Sequence, residues 1–211
     1  MKASDFFCQA LDDHERLYTD PVWISLQMLS DYMKNLTYTG SLMLPGVTMI
    51  NPDEISIGKG CLIEPGCLIE GPCIIGDGAI IRHGAAVRGL TILGKECVIG
   101  HSTEIKRSIL FDRAKAPHFN YVGDSILGRN VNLGAGAKLA NLRLDGQPIK
   151  VRENGEVYET GMRKFGGVLG DGCQVGCNCV INPGTLLPPN SIILPRNAAR
   201  GVLHERNKTI L

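Results

Sequence analysis

Residues 57–105 read IGKGCLIEPGCLIEGPCIIGDGAIIRHGAAVRGLTILGKECVIGHSTEI, and a six-residue step organises them. Stepping by six from Ile57 meets Ile63, Ile69, Ile75, Ile81, Val87, Leu93, Ile99 and Ile105, all large and apolar, and Phe111 comes next. Four places after each of the first eight stands a small residue: Cys61, Cys67, Cys73, Ala79, Ala85, Thr91, Cys97 and Thr103. The pattern returns as Leu169, Val175, Ile181, Leu187 and Ile193, with Cys173, Cys179, Thr185, Ser191 and Asn197 as partners. Six is neither the 3.6 of a helix nor the 2 of an ordinary strand. It fits short strands separated by tight corners, one side of a triangular coil per hexad, with successive coils paired through their backbones about 4.8 Å apart. Large aliphatics at one position and small residues at another fill a narrow prism, with Gly at corners where φ > 0 is needed. The period leaves the hand of the coil open.

Composition agrees with such a prism. Gly is 26 of 211 residues, above the usual ~7%, while aromatics are only 5%. Hydrophobic residues at 44% and charged residues at 20% suffice to bury a core. Lys+Arg 22 against Asp+Glu 21 leaves +1, which argues against a nucleic-acid binder. No stretch approaches the ~20 apolar residues of a membrane span. The opening MKASDFFCQALDDHERLYTD has acids and His where an export signal is apolar, so a cytoplasmic protein with reduced thiols is expected. Six of the eight cysteines (Cys61, Cys67, Cys73, Cys97, Cys173, Cys179) hold the small inward position, where a thiol packs as a compact apolar group rather than a metal ligand. Cys177 and Cys8 lie off it.

Residues 1–38 contain no hexads and read as a helical cap, two short helices packing on or capping the first coil, with 39–211 forming the coil itself. Asp20-Pro21 reads as an N-cap followed by Pro at the first helical position, after which Val22, Leu26, Leu29, Met33 and Leu36 recur at helical spacing. Ser4 to Tyr18 is a second, weaker helix candidate. The period breaks twice. Phe111 to Leu127 is 16 residues, not a multiple of six, and 142–163 is polar with turn signals at Asp145-Gly146 and Asn154-Gly155, predicting an inserted loop or hairpin.

Residues 18 apart should stack on one face. Glu70, Arg88 and Lys106 form such a column. Two adjacent cations there suit a phosphate, with Arg supplying a fork and Lys a point charge. They equally suit a solvated surface where Glu70 relieves Arg88. His83 and His101 are also 18 apart and read as surface residues, with His118 following 17 later. The first break holds KAPHFNYVGD (115–124), then NVNLGAG (130–136) and ANLR (140–143), so His118 lies among Asn120, Tyr121, Asn132 and Asn141.

The hexads resemble those of the hexapeptide-repeat acyltransferases, which implies a mainly β, left-handed parallel β-helix with a short N-terminal helical segment. Within that class, TEIKRSILFDRAKAPHFNYVGDSILGRNVNLGAGAKLANLRLDG (103–146) closely resembles the acetyltransferase half of the bifunctional glucosamine-1-phosphate N-acetyltransferase and sugar-1-phosphate nucleotidylyltransferase enzymes. Pro117-His118, ANLR and MRKFGGVLGD (162–171) look most like the archaeal-type fused enzymes, over about residues 80–190. By that resemblance His118 is the catalytic base, and Arg88 and Lys106 hold the sugar phosphate. Tyr121, Asn132 and Asn141 contact substrate, with Lys164 matched only across a length difference. Ala135 binds coenzyme A through its backbone, and Cys177 replaces a small hydroxyl residue near the coenzyme. The resemblance further implies acetyl-CoA as co-substrate, a small sugar phosphate as acceptor, no metal requirement and a homotrimer with sites between subunits. No Gly-rich nucleotidyltransferase signature precedes the repeat, so the uridylyl-transfer step is expected to be absent. Two other readings stay open: an acyltransferase acting on another amino sugar, including a nucleotide-linked one, and a catalytically silent β-helix serving as an assembly subunit.

Overall fold

The computed structural model describes residues 1–40, 43–203 and 209–210. Three parallel sheets stack two- to four-residue strands into the walls of a prism. The first wall runs from Thr48–Ile50 through Glu104–Lys106 and Tyr121–Gly123 to Ala198–Ala199. A second runs from Ile55–Ile57 to Thr185–Leu187, and a third from Leu62–Ile63 to Ile192–Ile193 and Thr209–Ile210. Registers show the period directly. Leu68 pairs with Ala86 and Ala86 with Glu104, steps of 18. The fold is therefore the mainly β parallel helix of hexads expected from the sequence.

The hexad large residues other than Phe111 point inward and form one continuous core with the small apolar ones. The thiols do more than fill space. Cys67, Cys97, Cys173 and Cys179 donate to carbonyls of the next coil, as from Cys179 Sγ to Leu194 O at 3.0 Å. Burial pushes Cys73 and Cys97 up to about 12 and Cys173 up to about 11, which keeps them protonated. Corners need one residue at positive φ, and glycine is not alone in supplying it. Leu90, Ser102, Phe119 and Asn130 adopt that conformation as Gly84 does. Other glycines serve close approach. A Cβ on Gly100 would lie 1.6 Å from Pro117 O.

The first break resolves into shortened sides. From Glu104 to Tyr121 and from Tyr121 to Lys138 the step is 17. One side per coil has therefore lost a residue, and Leu110, opposite Leu93, takes the inward place that the hexads assigned to Phe111. Phe111 turns outward and stacks on Phe7, with ring centroids 4.6 Å apart, under the Arg129 guanidinium. The second break is an insertion. Lys138 pairs with Val180, 42 positions on, and the excess forms a hairpin of Lys150–Glu153 against Glu156–Glu159.

The N-terminal residues do not cap the first coil. They lie as a strap along the outer face of the second wall, because that face is apolar: Ile92, Ile109, Ile126, Val168 and Leu186 stack in one column and bury Phe6, Phe7, Trp23, Leu26 and Leu29. Only one of the two expected helices forms, α1 (Ile24–Lys34). Ser4 to Tyr18 instead makes two single 3₁₀ turns, Ala3–Asp5 and Glu15–Leu17. Asp20 caps no helix; its carboxylate accepts the Ala3 N–H at 2.7 Å. Polar ties reach across to the coil, including Arg129 to the carbonyls of Gln9 and Ala10 and the Cys8 N–H to Asp171.

Candidate functional site

Two corner columns flank the first wall. At the corner entering it, His101 pairs with His118. Continuing that register puts Ala135 and then Cys177 on the same line, and the Gly136 N–H donates to His118 O while the Asn178 N–H donates to Ala135 O. His83 and His101 belong to the column too. Their rings stack at 5.8 Å, and each bonds through Nδ1 to the carbonyl of the coil before it. Phe119, turned out by its positive φ, meets His101 edge-on at 5.4 Å and ends the stack. The His118 ring is exposed and, among the described residues, has no hydrogen-bond partner. A general base needs such a free ring nitrogen.

His118 is held by its backbone. Its N–H donates to Oδ1 of buried Asn120 at 3.1 Å. The Asn120 amide donates in turn to Gly134 O at 2.7 Å and Ala137 O at 3.3 Å. One core side chain thereby ties His118 to the coil carrying Ala135.

At the corner leaving the first wall, Glu70, Arg88 and Lys106 stack, followed by Gly123. Arg88 is already engaged by Glu104 at 3.1 Å and Glu70 at 3.4 Å, and these carboxylates hold its guanidinium above its ordinary value. Lys106 has no ion pair among the described residues. Within the chain alone, the geometry matches a surface where glutamates relieve Arg88; an anion would have to draw the fork away from them. Gly123 leaves room for two neighbours, since a Cβ there would lie 2.6 Å from the Tyr121 hydroxyl and 2.7 Å from Asn141 Nδ2. Burial pushes the Tyr121 phenol up, with Glu104 and Asp124 adding to the effect.

Asp124 is the residue that sequence reasoning missed. It is buried, accepts from Asn141 Nδ2 at 2.6 Å and faces Arg107 Nε at 3.6 Å. The available signal was the 17-residue offset between Asp124 and Asn141, the same step that stacks Thr103 under Asn120. Lys164 stands beside Asn141, bridged through Leu142, although it is 23 positions away in sequence. Asn132 lies apart from this group, half-buried on the third wall between Lys115 and Gln174. The chain therefore gathers Arg88, Lys106, Tyr121, Asn141 and Lys164 along one wall, puts His118, Ala135 and Cys177 at its edge, and leaves Asn132 around the corner. Cys177 is exposed.

Stacked hexads with polar corner columns define a hexapeptide-repeat β-helix. Residues 69–193 match the family described as the GMPPB C-terminal domain, and the chain belongs to that family. It is 42% identical over 103 residues to the bifunctional protein GlmU of Methanococcus maripaludis, covering 49% of this chain and 25% of that protein. It is 40% identical over 105 residues to a bifunctional sugar-1-phosphate nucleotidylyltransferase/acetyltransferase of Sulfurisphaera tokodaii, covering 50% and 26%. The match thus spans about a quarter of these curated relatives. A UDP-N-acetylglucosamine acyltransferase from Campylobacter jejuni superposes with a TM-score of 0.46 at 16% identity, over 76% of this chain and 68% of that one. Among the described residues, no helix is long and apolar enough to cross a membrane, and no group of three His, Cys, Asp or Glu side chains could hold a metal.

Proposed function

We propose that this chain is an acetyl-CoA-dependent N-acetyltransferase acting on glucosamine-1-phosphate or a related hexosamine-1-phosphate. The observation that carries the reading is the corner column in which the unpartnered His118 ring precedes Ala135 and Cys177, beside a wall bearing Lys106, Tyr121 and Asn141. The bifunctional sugar-phosphate relatives support an acyl acceptor of this kind.

Acyl transfer to an amine requires a nitrogen lone pair, and at neutral pH a sugar ammonium must first lose a proton. His118 accepts that proton on its free ring nitrogen, a role worth ~10²–10⁴-fold. The amine nitrogen then bonds to the thioester carbonyl carbon, the C–S bond breaks, and the second N–H proton lost as the amide forms passes to the leaving thiolate. Arg88 and Lys106 hold the sugar phosphate and so position the amine, while Tyr121, Asn141 and Lys164 bound the sugar. Ala135 and Cys177, small and at the same corner as His118, leave room for the coenzyme. Asn132 faces away from Tyr121 and Asn141 on a different wall, so it meets the same substrate when walls of two copies face each other. A homotrimer with its site between subunits satisfies that requirement.

Free thiol released from acetyl-CoA in the presence of glucosamine-1-phosphate tests the activity. Release should depend on the sugar, and His118→Ala should slow it by ~10²–10⁴-fold without loss of β-sheet circular dichroism. No release with any hexosamine phosphate would overturn this reading. An undiminished His118→Ala rate would remove the base from the mechanism.

A further inference from the structure

The insertion does more than protrude. Ile149 seats on Gly184, where a Cβ would come within 2.7 Å of its Cγ2, and Thr160 O accepts from Gln27 Nε2 of α1 at 2.5 Å. Val151 is fully buried, so strand alternation turns Lys150 and Arg152 together to the opposite face. There they meet Arg143 and, from the coil, Arg200 around a cavity of about 490 Å³ floored by Asn182 and Gly184.

Charge in this cavity is unbalanced. Arg143 pairs with Asp145 and Lys150 with Glu159. Arg152 and Arg200 have no ion-pair partner among the described residues. Four cations against two carboxylates leave two positive charges, matching the two negative charges of a diphosphate esterified at both ends. Two guanidinium forks suit two neighbouring phosphoryl groups.

Register fixes where this lies. Following the pairings from Lys106 through Gly123, Ala140 and Asn182 leads to Arg200 in the same column, four coil steps away. At about 4.8 Å per step the separation is ~19 Å, too far for one phosphate to engage both. We propose that the cavity is a second anion subsite, clamped by Arg152 and Arg200, for the diphosphate of a nucleotide-type ligand. Two ligands carry that chemistry: a nucleoside diphosphate linked to a sugar, and coenzyme A. The subsite stands independently of turnover; its place in acyl transfer rests on the proposed activity.

Calorimetric titration of the intact chain with inorganic pyrophosphate, uridine diphosphate and coenzyme A tests it. The native protein should bind pyrophosphate, and Arg152→Ala or Arg200→Ala should each weaken binding about tenfold or more, with an unchanged melting temperature. Arg152→Lys, keeping charge without the fork, should restore only part of the loss. Whichever of uridine diphosphate or coenzyme A weakens in parallel identifies the source. Pyrophosphate that fails to bind the native protein, or that binds the double arginine variant equally well, overturns the proposal. Thiol release reads the activity separately, so the two can fail independently.

Discussion

Asn120→Asp exchanges an amide for a carboxylate of nearly the same shape in the core beneath His118. Asn120 is 3% exposed, and its Nδ2 donates to Gly134 O at 2.7 Å and Ala137 O at 3.3 Å. In the variant an oxygen replaces that nitrogen and faces two carbonyl oxygens. Protonated, the acid can still donate to the nearer one, at a cost of about 1 kcal/mol for the lost bond. Ionised, it is a buried charge whose one remaining donor among the described residues is the His118 N–H. The folded-state pKa must therefore rise above the ~3.9 of an unfolded Asp. Three units of upshift, ordinary for such burial, convert to ~4 kcal/mol. The sign follows. Below the unfolded pKa both states are protonated and the variant is only slightly weakened. Between the unfolded and the raised folded value, unfolding releases a proton, so the deficit grows with pH to a total of ~5 kcal/mol before levelling off. Urea unfolding of both proteins from about pH 4.5 to about pH 8 reads this, because titrations common to both cancel in the difference. A pH-independent difference, or a variant matching the native protein at the upper end, would refute the role given to the Asn120 amide.

Thiol chemistry offers a second check. With an aromatic disulfide reagent at mild alkaline pH, exposed Cys8 and Cys177 should react promptly, Cys8 being slowed because partial burial and Asp171 push its thiol up. Cys73, Cys97 and Cys173 should react only on unfolding; prompt modification of more than three thiols would contradict the inward placement. Leu26→Ala, at a fully buried site between strap and coil, should cost 2–5 kcal/mol in denaturant unfolding. A cost below about 1 kcal/mol would mean that the strap is not part of the folded unit.

The coil was legible because its physics is periodic: a narrow prism admits one large aliphatic per side, and Ile57 to Ile105 announce it. The same rigidity of step hid the shortened sides. Deleting one residue at a corner moves the inward place from Phe111 to Leu110, and only backbone pairing reveals which of two adjacent apolar residues turned in. The resting place of the strap was written in the outer positions of the second wall, from Ile92 to Leu186, where the first wall has Glu104, Tyr121 and Lys138. Stepping only along inward residues passed over them. The resemblance of segment 103–146 singled out His118 and Asn141, and the six-residue step did not, because the shortened coils hide which residues stack there. Lys164 was matched only across a length difference, and the length of an insertion does not say where the chain re-enters. Asn120 looks like a site polar residue in sequence, and burial makes it, together with Asp124, a support beneath the site.

The strap also bears on how the molecule comes apart. A solenoid holds each coil only to its neighbours, so it can fray from an end and stop anywhere. Here one apolar seam runs across the second wall from Ile92 to Leu186, sewn by residues from the opposite end of the chain. Its last stitches, Phe6 O to the Asp171 N–H and Cys8 N–H to the Asp171 carboxylate, close early sequence onto late coils. Peeling a seamed coil away must uncover apolar strap residues along with the coil's own outer face, which ties rungs that would otherwise fray singly into a more cooperative body.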